Sequence, residues 1–467
     1  MINEDEELYF SIDEQVNIIN RCEQMFMIGH EMYFDVQELD YAIDYYLELQ
    51  EFDKALTVCL VGERIHETSN ELNLKKAKIY LIKEKPQKAY KILSQLTNHD
   101  IEIHELESLK GFCLMDLDKI DEAHECFDKA IAQASDSDIN YFIASNLVNK
   151  EYFETAIKYL EQTFKDDTSN PFAIYDLAYC YEKIDQLEMS ILFYQKYIEL
   201  DPYSDNAWYN LGILFNRMEE YADAVEAFDY ALAINEKNNL ALFNKANTLA
   251  NWGQYETAIE HYNEFLTKEP NNLNAKYYKG ECFEKLEQYN DAETQYREIL
   301  EIDPLYADAW HGMGVVAFYR QNLTEACQML DKSIQIDCDN PEYWYSYGNI
   351  HKSIQGSEHK ALYCYKRATE LDPHDHEFWL SYAEMEKITG NTESAARTLE
   401  FASELLDEDA EFDFILSAYY YELGNKVRSL ELFKKARGLD VEMATAFFSN
   451  CTLKEEDKKI YTTLITH

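Results

Sequence analysis

The chain is poor in the residues that interrupt helices, with only seven prolines and 13 glycines among 467 residues. In a helix interior each proline costs roughly 3 kcal/mol and each glycine about 1 kcal/mol, so a long chain this poor in both reads as helical. Basic charge is also scarce. Against 89 acidic residues stand 42 basic ones, a formal net charge of −47. Phosphate binding needs a basic footprint, which argues against nucleic acid as a direct partner. An anionic membrane surface is disfavoured for the same reason. No run of 18 apolar residues is present, so no membrane-spanning helix is expected. The acidic opening, Met1 to Glu7, lacks the basic and apolar regions of a signal peptide. None of the ten cysteines forms a C-x-x-C pair. They read as free thiols used as small core residues in a reducing compartment, and the expected location is cytoplasmic.

Catalytic signatures are missing as well. There is no G-x-x-x-x-G-K-[ST], no G-x-G-x-x-G and no G-x-S-x-G, and His30-Glu31 lacks the second histidine of H-E-x-x-H. His374, Asp375 and His376 read as a loop at a helix start rather than a metal site. No catalytic, cofactor-binding or metal-binding residue is assigned, no cofactor is expected, and the chain is read as no enzyme.

What is present is a foldable composition and a period. Hydrophobic residues make up 46% and aromatics 14%, more than a disordered acidic chain would carry. With Trp208 placed at position 4 of a unit, position 8 is Gly212, position 20 is Ala224, position 24 is Phe228 and position 27 is Ala231. The pattern returns on shifting by 34 residues. Position 8 reads Ala144, Ala178, Gly212, Ala246, Gly280, Gly314 and Gly348. Position 20 is small in twelve units, from Ala55 and Ala89 to Ala395 and Ser429, with one-residue slips before Ser137 and around Gly356. Two helices that cross closely need small side chains where they approach. Position 8 falls on the first helix and position 20 on the second. Large residues at positions 11, 17 and 24, such as Phe283, Tyr289 and Tyr296, fill the space beside them. Prolines obey the frame. Pro202, Pro270, Pro304 and Pro373 follow second helices, Pro171 and Pro341 open units, and Pro86 lies in a turn before a second helix.

This pattern resembles the tetratricopeptide repeat, a 34-residue helix-turn-helix with W-x2-L-G-x2-Y, a small residue at position 20 and a late proline. The resemblance covers 36–443 and gives twelve units, starting at Val36, Asn70, His104, Ser137, Pro171, Asp205, Asn239, Leu273, Ala307, Pro341, His376 and Ala410. The first unit departs from the pattern at position 8, where Ile43 stands. The expected fold is all-α, a right-handed superhelical α-solenoid, with hinge points at the slip near Gly356 or before Pro171. Residues 1–35 are expected to cap the array at one end and 444–467 at the other, because solenoids need polar caps. Ser11-Ile-Asp-Glu14 is a capping box, and Ile12, Val16 and Ile19 follow at helical spacing to cover the first repeat.

The resemblance implies a concave face lined by first helices, where positions 2, 5, 6, 9, 12 and 13 meet a protein or peptide partner. Position 5 carries Tyr141, Tyr175, Tyr209, Phe243, Tyr277, His311 and Tyr345, and Tyr278 adds a ring. Asn206, Asn210, Asn244, Asn247 and Asn251 supply amides on the same face. An asparagine amide both donates and accepts, so a row of them can hold an extended backbone whatever its sequence. Asn210, Asn244 and Asn247 resemble the asparagine ladder in the repeat region of O-linked N-acetylglucosamine transferases, although no transferase domain follows. Ordinary solvated asparagines and tyrosines packed on the neighbouring unit are the alternative. Position 5 has no lysine and position 2 is mostly acidic (Glu71, Glu105, Asp138, Asp308, Glu342, Glu377, Glu411), so the carboxylate clamp of co-chaperones is not expected. Those acids, with Glu281, Glu284 and Glu384, suit a basic partner instead. Two functions follow: a scaffold that binds a protein segment in the groove, or an acidic chaperone or antagonist that neutralises a basic protein by bulk charge. Cys113, Cys180 and Cys282 share position 10, which marks a packing role.

Overall fold

The computed structural model describes residues 10–29, 32–66, 69–96, 102–134, 138–406 and 410–440. Among the described residues there are 25 α-helices and no strand: one leading helix, Ile12–Ile28, then twelve helical hairpins. Ten of the twelve first helices begin at the residue the spacing gives; the others begin at Ile103 and Ile139. Local chemistry sets these starts. Asn170, Ser204, Asn238 and Asn272 each accept a hydrogen bond from the backbone N–H three residues on, at 3.0–3.3 Å. That satisfies one of the donors a helix start leaves unpaired. Pro171, Pro341 and Pro86 occupy first turns, where no N–H is needed.

The turn inside every hairpin uses one residue in the left-handed region. Eight of these are not glycine: Gln50, Glu84, Asp118, Glu151, Asp185, Glu219, Glu287 and Gln321, with φ between 54° and 63°. Gly253, Gly356, Gly390 and Gly424 serve the other four. Their spacing is 34 residues throughout, except 33 from Asp118 to Glu151 and 35 from Gln321 to Gly356. These are the two slips seen in the sequence. In eleven turns the next N–H reaches back five residues, as Gln186 does to the Tyr181 carbonyl at 2.9 Å, closing a Schellman motif. The turn with the extra residue, at Gly356, lacks this bond but keeps the hairpin core beneath it. Tyr365 still packs on Gly348 there.

That core is one contact repeated. All twelve position-20 residues, from Ala55 to Ser429, are at 0% exposure. The large position-24 residue of the second helix lies across position 8 of the first. A methyl added to Gly280 would sit 2.6 Å from the Tyr296 ring, and one added to Gly348 would sit 2.6 Å from Tyr365. Gly111, also at position 8, faces Phe127 in the same way. Where serine replaces alanine, the hydroxyl measures the approach: Ser190 Oγ donates to the Ala178 carbonyl at 2.7 Å, and Ser429 Oγ to the Ser417 carbonyl at 2.7 Å. The first repeat reverses the sizes. Ile43 at position 8 is fully buried, and its position-24 counterpart is the small Cys59. The volume is conserved although the pattern is broken, a swap that cores tolerate.

Between repeats, tryptophan at position 4 fastens the loop. Trp208, Trp310 and Trp379 donate Nε1–H to the carbonyls of Pro202, Pro304 and Pro373 at 2.9–3.0 Å, and Trp344 does so to Cys338 at 2.8 Å.

The leading helix docks differently from expectation. The capping box forms, with the Ser11 N–H donating to Glu14 Oε2 at 2.8 Å. However, Ile12 and Val16 are exposed, at 76% and 55%, and Ile19 is only partly buried. The seated face is Ile18, Cys22 and Met25. Polar anchors fix that rotation. Arg21 binds Glu38 and the Tyr33 carbonyl, and Glu23 accepts from Tyr46 and Lys54. The expected cap over 444–467 lies outside the described residues. By contacts the chain divides at the turn of repeat six, into Met1–Glu220 and Tyr221–His467.

Replacing Gly348 with Ala drives a methyl into Tyr365, and is expected to lower the unfolding free energy by about 1–3 kcal/mol in urea titration. Replacing Glu287 with Gly relieves a left-handed side chain, and should raise it by up to about 1 kcal/mol.

Candidate functional site

Within each body the first helices of successive repeats touch one another. In the first this runs from Val36–Glu48 to Pro171–Lys183, and in the second from Asn239–Asn251 to Pro341–Lys352. Positions 2, 5, 6 and 9 gather on this first-helix face. The position-5 rings there are tied to the next repeat. Tyr141 Oη donates to Asp176 Oδ2 at 3.0 Å, Asn210 Nδ2 donates to Tyr175 Oη at 3.1 Å, and the His311 ring bonds Ser346 Oγ at 2.8 Å. Each bond joins position 5 to position 6 one repeat on. The aromatic stripe therefore holds repeat to repeat as well as lining the face.

A second set of hydroxyls reaches the same face from behind. Tyr194, Tyr262, Tyr296 and Tyr365 are fully buried position-24 rings of second helices. Tyr194 Oη accepts from Asn210 at 3.0 Å, Tyr262 Oη donates to Asn247 at 2.6 Å, Tyr296 Oη to Glu284 at 2.5 Å, and Tyr365 Oη to Asn349 at 2.7 Å. A buried phenol needs such a partner. Asn210 and Asn247 thus have a structural duty. The Asn244 amide donates back to the Leu240 carbonyl of its own helix at 3.0 Å. Asn206 and Asn251 are exposed. Phe243 packs near Phe265, Tyr262 and Tyr278, with the Phe265 centroid 5.1 Å away. Tyr277 lies against Tyr278, Tyr296 and Tyr306 and donates to Glu281 at 3.0 Å. Tyr209 is half-buried, and Tyr278 is exposed.

Many of the acidic residues are engaged within the protein. Asp308 accepts from Tyr343, Glu377 from Tyr345, and Glu105 and Glu384 pair with Lys78 and Lys352. Burial raises the carboxyls of Asp176 and Glu281, and lifts Glu284 to about 7. Burial also lowers His311 to about 4, so its ring is neutral at pH 7. Cys113, Cys180 and Cys282 are buried, and burial raises each thiol to about 12, as expected of packing residues. Asp375 caps the helix after it by accepting from the Phe378 N–H at 2.9 Å, and His376 stacks on Phe412.

Two open clefts interrupt the first-helix face of the first body. One, of about 520 Å³, lies between Pro171–Lys183 and Asp205–Arg217 and is lined by Phe172, Tyr175, Asp176, Tyr197, Asp201 and Asn206 among others. The other, of about 330 Å³, lies between Ile103–Met115 and Ile139–Asn149 and includes Glu102, Glu105, Asp138 and Phe142. Both sit in the same register, beside the end of the intervening second helix. Neither lining contains a lysine or arginine. Phe172 and Phe142 stand 67% and 45% exposed. Of the expected groove residues, this brings Tyr175 and Asn206 together, with Tyr141 between the clefts through its bond to Asp176. The two phenylalanines were not singled out from the sequence. The signal was there, since Phe172 holds position 2 and Phe142 position 6, both among the positions that the resemblance assigns to the concave face.

Asn247→Ala strands the Tyr262 hydroxyl and is expected to cost about 1–3 kcal/mol, while Asn251→Ala at an exposed position stays within about 0.5 kcal/mol; urea titration distinguishes them. Glu284 has a folded pKa raised above its unfolded value, so its folded form holds the proton more tightly. Its charge therefore destabilises the fold as pH rises from about 4.5 towards 7. Glu284→Gln keeps the acceptor for Tyr296. It should flatten this decline and be more stable than the parent at pH 8, as followed by thermal melts across pH.

A model of the anaphase-promoting complex, cyclosome, subunit 3 family matches residues 217–299. Three tetratricopeptide-repeat models match residues 173–204, 193–226 and 283–341. No curated protein sequence matches. Solved structures similar to this chain include YrrB, a TPR protein with an unusual peptide-binding site. Its identity is 25% over 39% of this chain and 95% of that one, with a TM-score of 0.35. A tetratricopeptide repeat protein from Parabacteroides merdae ATCC 43184 has 16% identity over 56% of this chain and 99% of that one, with a TM-score of 0.39. The APC/C hetero-tetramer Cut9–Hcn1 has 13% identity over 91% of this chain and 94% of that one, with a TM-score of 0.41. Repeat models match inside the array, and the same hairpin, turn and core contact recur on both sides of the matched stretches: the chain carries tetratricopeptide repeats.

Proposed function

We propose that this chain is a non-enzymatic scaffold that binds a segment of another protein along the first-helix face of its first body. Tetratricopeptide-repeat proteins in general mediate protein–protein interactions. The observation that carries the assignment to this face is the pair of clefts in one register, each with an exposed phenylalanine beside carboxylates. Exposed aromatic rings are the side chains from which binding hot spots are built. Tyr141, Tyr175, Asn206 and Asn210 lie along this stretch. Phe243, Asn244, Asn247, Asn251, Tyr277 and Tyr278 continue the same set of positions in the second body. The described helices include none long and apolar enough to cross a membrane. Buried free thiols suit a reducing, cytoplasmic setting, and the acidic surface suits a basic protein partner rather than nucleic acid or membrane.

The net charge of −47 supports a second reading, neutralisation of a basic protein by bulk charge. Photo-crosslinking separates the two. A crosslinker is placed at Asn206 in the groove, and another at the exposed Glu199 on a second helix. With a partner captured from native extract, the groove reading expects an adduct from Asn206 that persists at 0.5 M salt, where the screening length is only about 4–5 Å. Equal adducts from both sites, lost together at that salt, would replace it with the bulk-charge reading.

A further inference from the structure

The two clefts of the first body also say what the bound segment carries. We propose, building on the groove reading above, that they receive two arginine side chains of one extended segment, about three residues apart. Three features of the clefts lead there.

The first is charge. Asp176 and Asp201 line the larger cleft, and Glu102, Glu105 and Asp138 line the smaller. Lys78 pairs with Glu105, so the smaller cleft is partly compensated from its rim. In the larger cleft Asp176 is met by the neutral hydroxyl of Tyr141, and Asp201 by the backbone N–H of Tyr203 at 3.2 Å. A neutral donor leaves the negative charge of Asp176 in place, and an entering cation is favoured there.

The second is the kind of surface beside that charge. Phe172 is 67% exposed and lies against Tyr141, with 6.1 Å between ring centroids, while Tyr175 and Tyr197 stand 5.1 Å apart on the cleft wall. In the smaller cleft Phe142 is 45% exposed and leans on Phe112 at 6.2 Å. A flat cation that stacks on a ring while its edge donates to a carboxylate uses both parts of each cleft. Guanidinium does this; a compact, strongly hydrated ammonium does not.

The third is spacing. The two exposed rings stand on neighbouring first helices in contact with each other, Phe142 on Ile139–Asn149 and Phe172 on Pro171–Lys183. First helices that pack side by side lie about 8–10 Å apart. An extended chain advances about 3.3 Å per residue, so about three residues bridge the two rings.

The test uses the full chain and labelled 14-residue peptides in fluorescence anisotropy, with two arginines from two to ten residues apart on an otherwise Ser/Ala/Gly background. The expected result is tightest binding at about three residues, at least about tenfold better than with one arginine, since the second contact is intramolecular. Lysine at both places should bind several-fold more weakly. Phe172→Ser and Phe142→Ser, each with unchanged helical circular dichroism, should reduce the two-arginine peptide to the affinity of the one-arginine peptide. Affinity that ignores spacing, that is equal for lysine, or that survives both substitutions would overturn the proposal. A positive crosslink from Asn206 together with any of those results would leave the groove reading standing and remove only the arginine pair. Absence of both would remove both.

Discussion

The rest of the array depends on how closely two helices approach at positions 8 and 20. Ser190 reaches the carbonyl of Ala178 across that gap at 2.7 Å, which leaves no room for a larger side chain at either place. Because the clearance is fixed, the large residue at position 24 has only one place to go, over the small one at position 8. Where that residue is tyrosine, its ring is buried and its hydroxyl is carried through the hairpin to the opposite face. There it must meet a polar group, and asparagine or glutamate supplies it. The polar character of the groove is thus partly a consequence of core packing, two links upstream of any ligand.

This coupling explains why the groove is uneven. Asn210 and Asn247 serve buried phenols from the second helices, and Tyr141 and Tyr175 are spent on the joint to the following repeat. Such side chains are pre-positioned, and pre-positioned groups lose little freedom when a partner arrives. The side chains that stay exposed are those at the cleft mouths, Phe142, Phe172 and Asn206. A rigid polar floor with a few exposed rings has the anatomy of a recognition surface.

Most of the fold was legible because steric periodicity leaves a mark at every repeat. Alanine at position 20 and proline at helix ends were enough to place ten first helices to the residue. Repeat one shows the limit of a one-position rule: Ile43 breaks the pattern, yet Cys59 opposite restores the volume, and only the pair reveals it. The turns were less legible, since eight of them place an ordinary side chain in the left-handed region where glycine would be the readable choice. The leading helix was misjudged because its apolar residues are compatible with two stripes. Ion pairs of Arg21 and Glu23 with a neighbouring hairpin select the one through Ile18, Cys22 and Met25. At the candidate site, hydrogen bonds between residues 35 apart are invisible to any local pattern.

The tryptophan latches have an optical consequence. Four of the five indoles are clamped at junctions between repeats, at Trp208, Trp310, Trp344 and Trp379, and none occurs before Trp208. Tryptophan emission therefore watches the joints at repeats six, nine, ten and eleven and is blind to those before repeat six. Backbone ellipticity watches every helix equally. The chain thus carries a built-in reporter of where along its length order is lost.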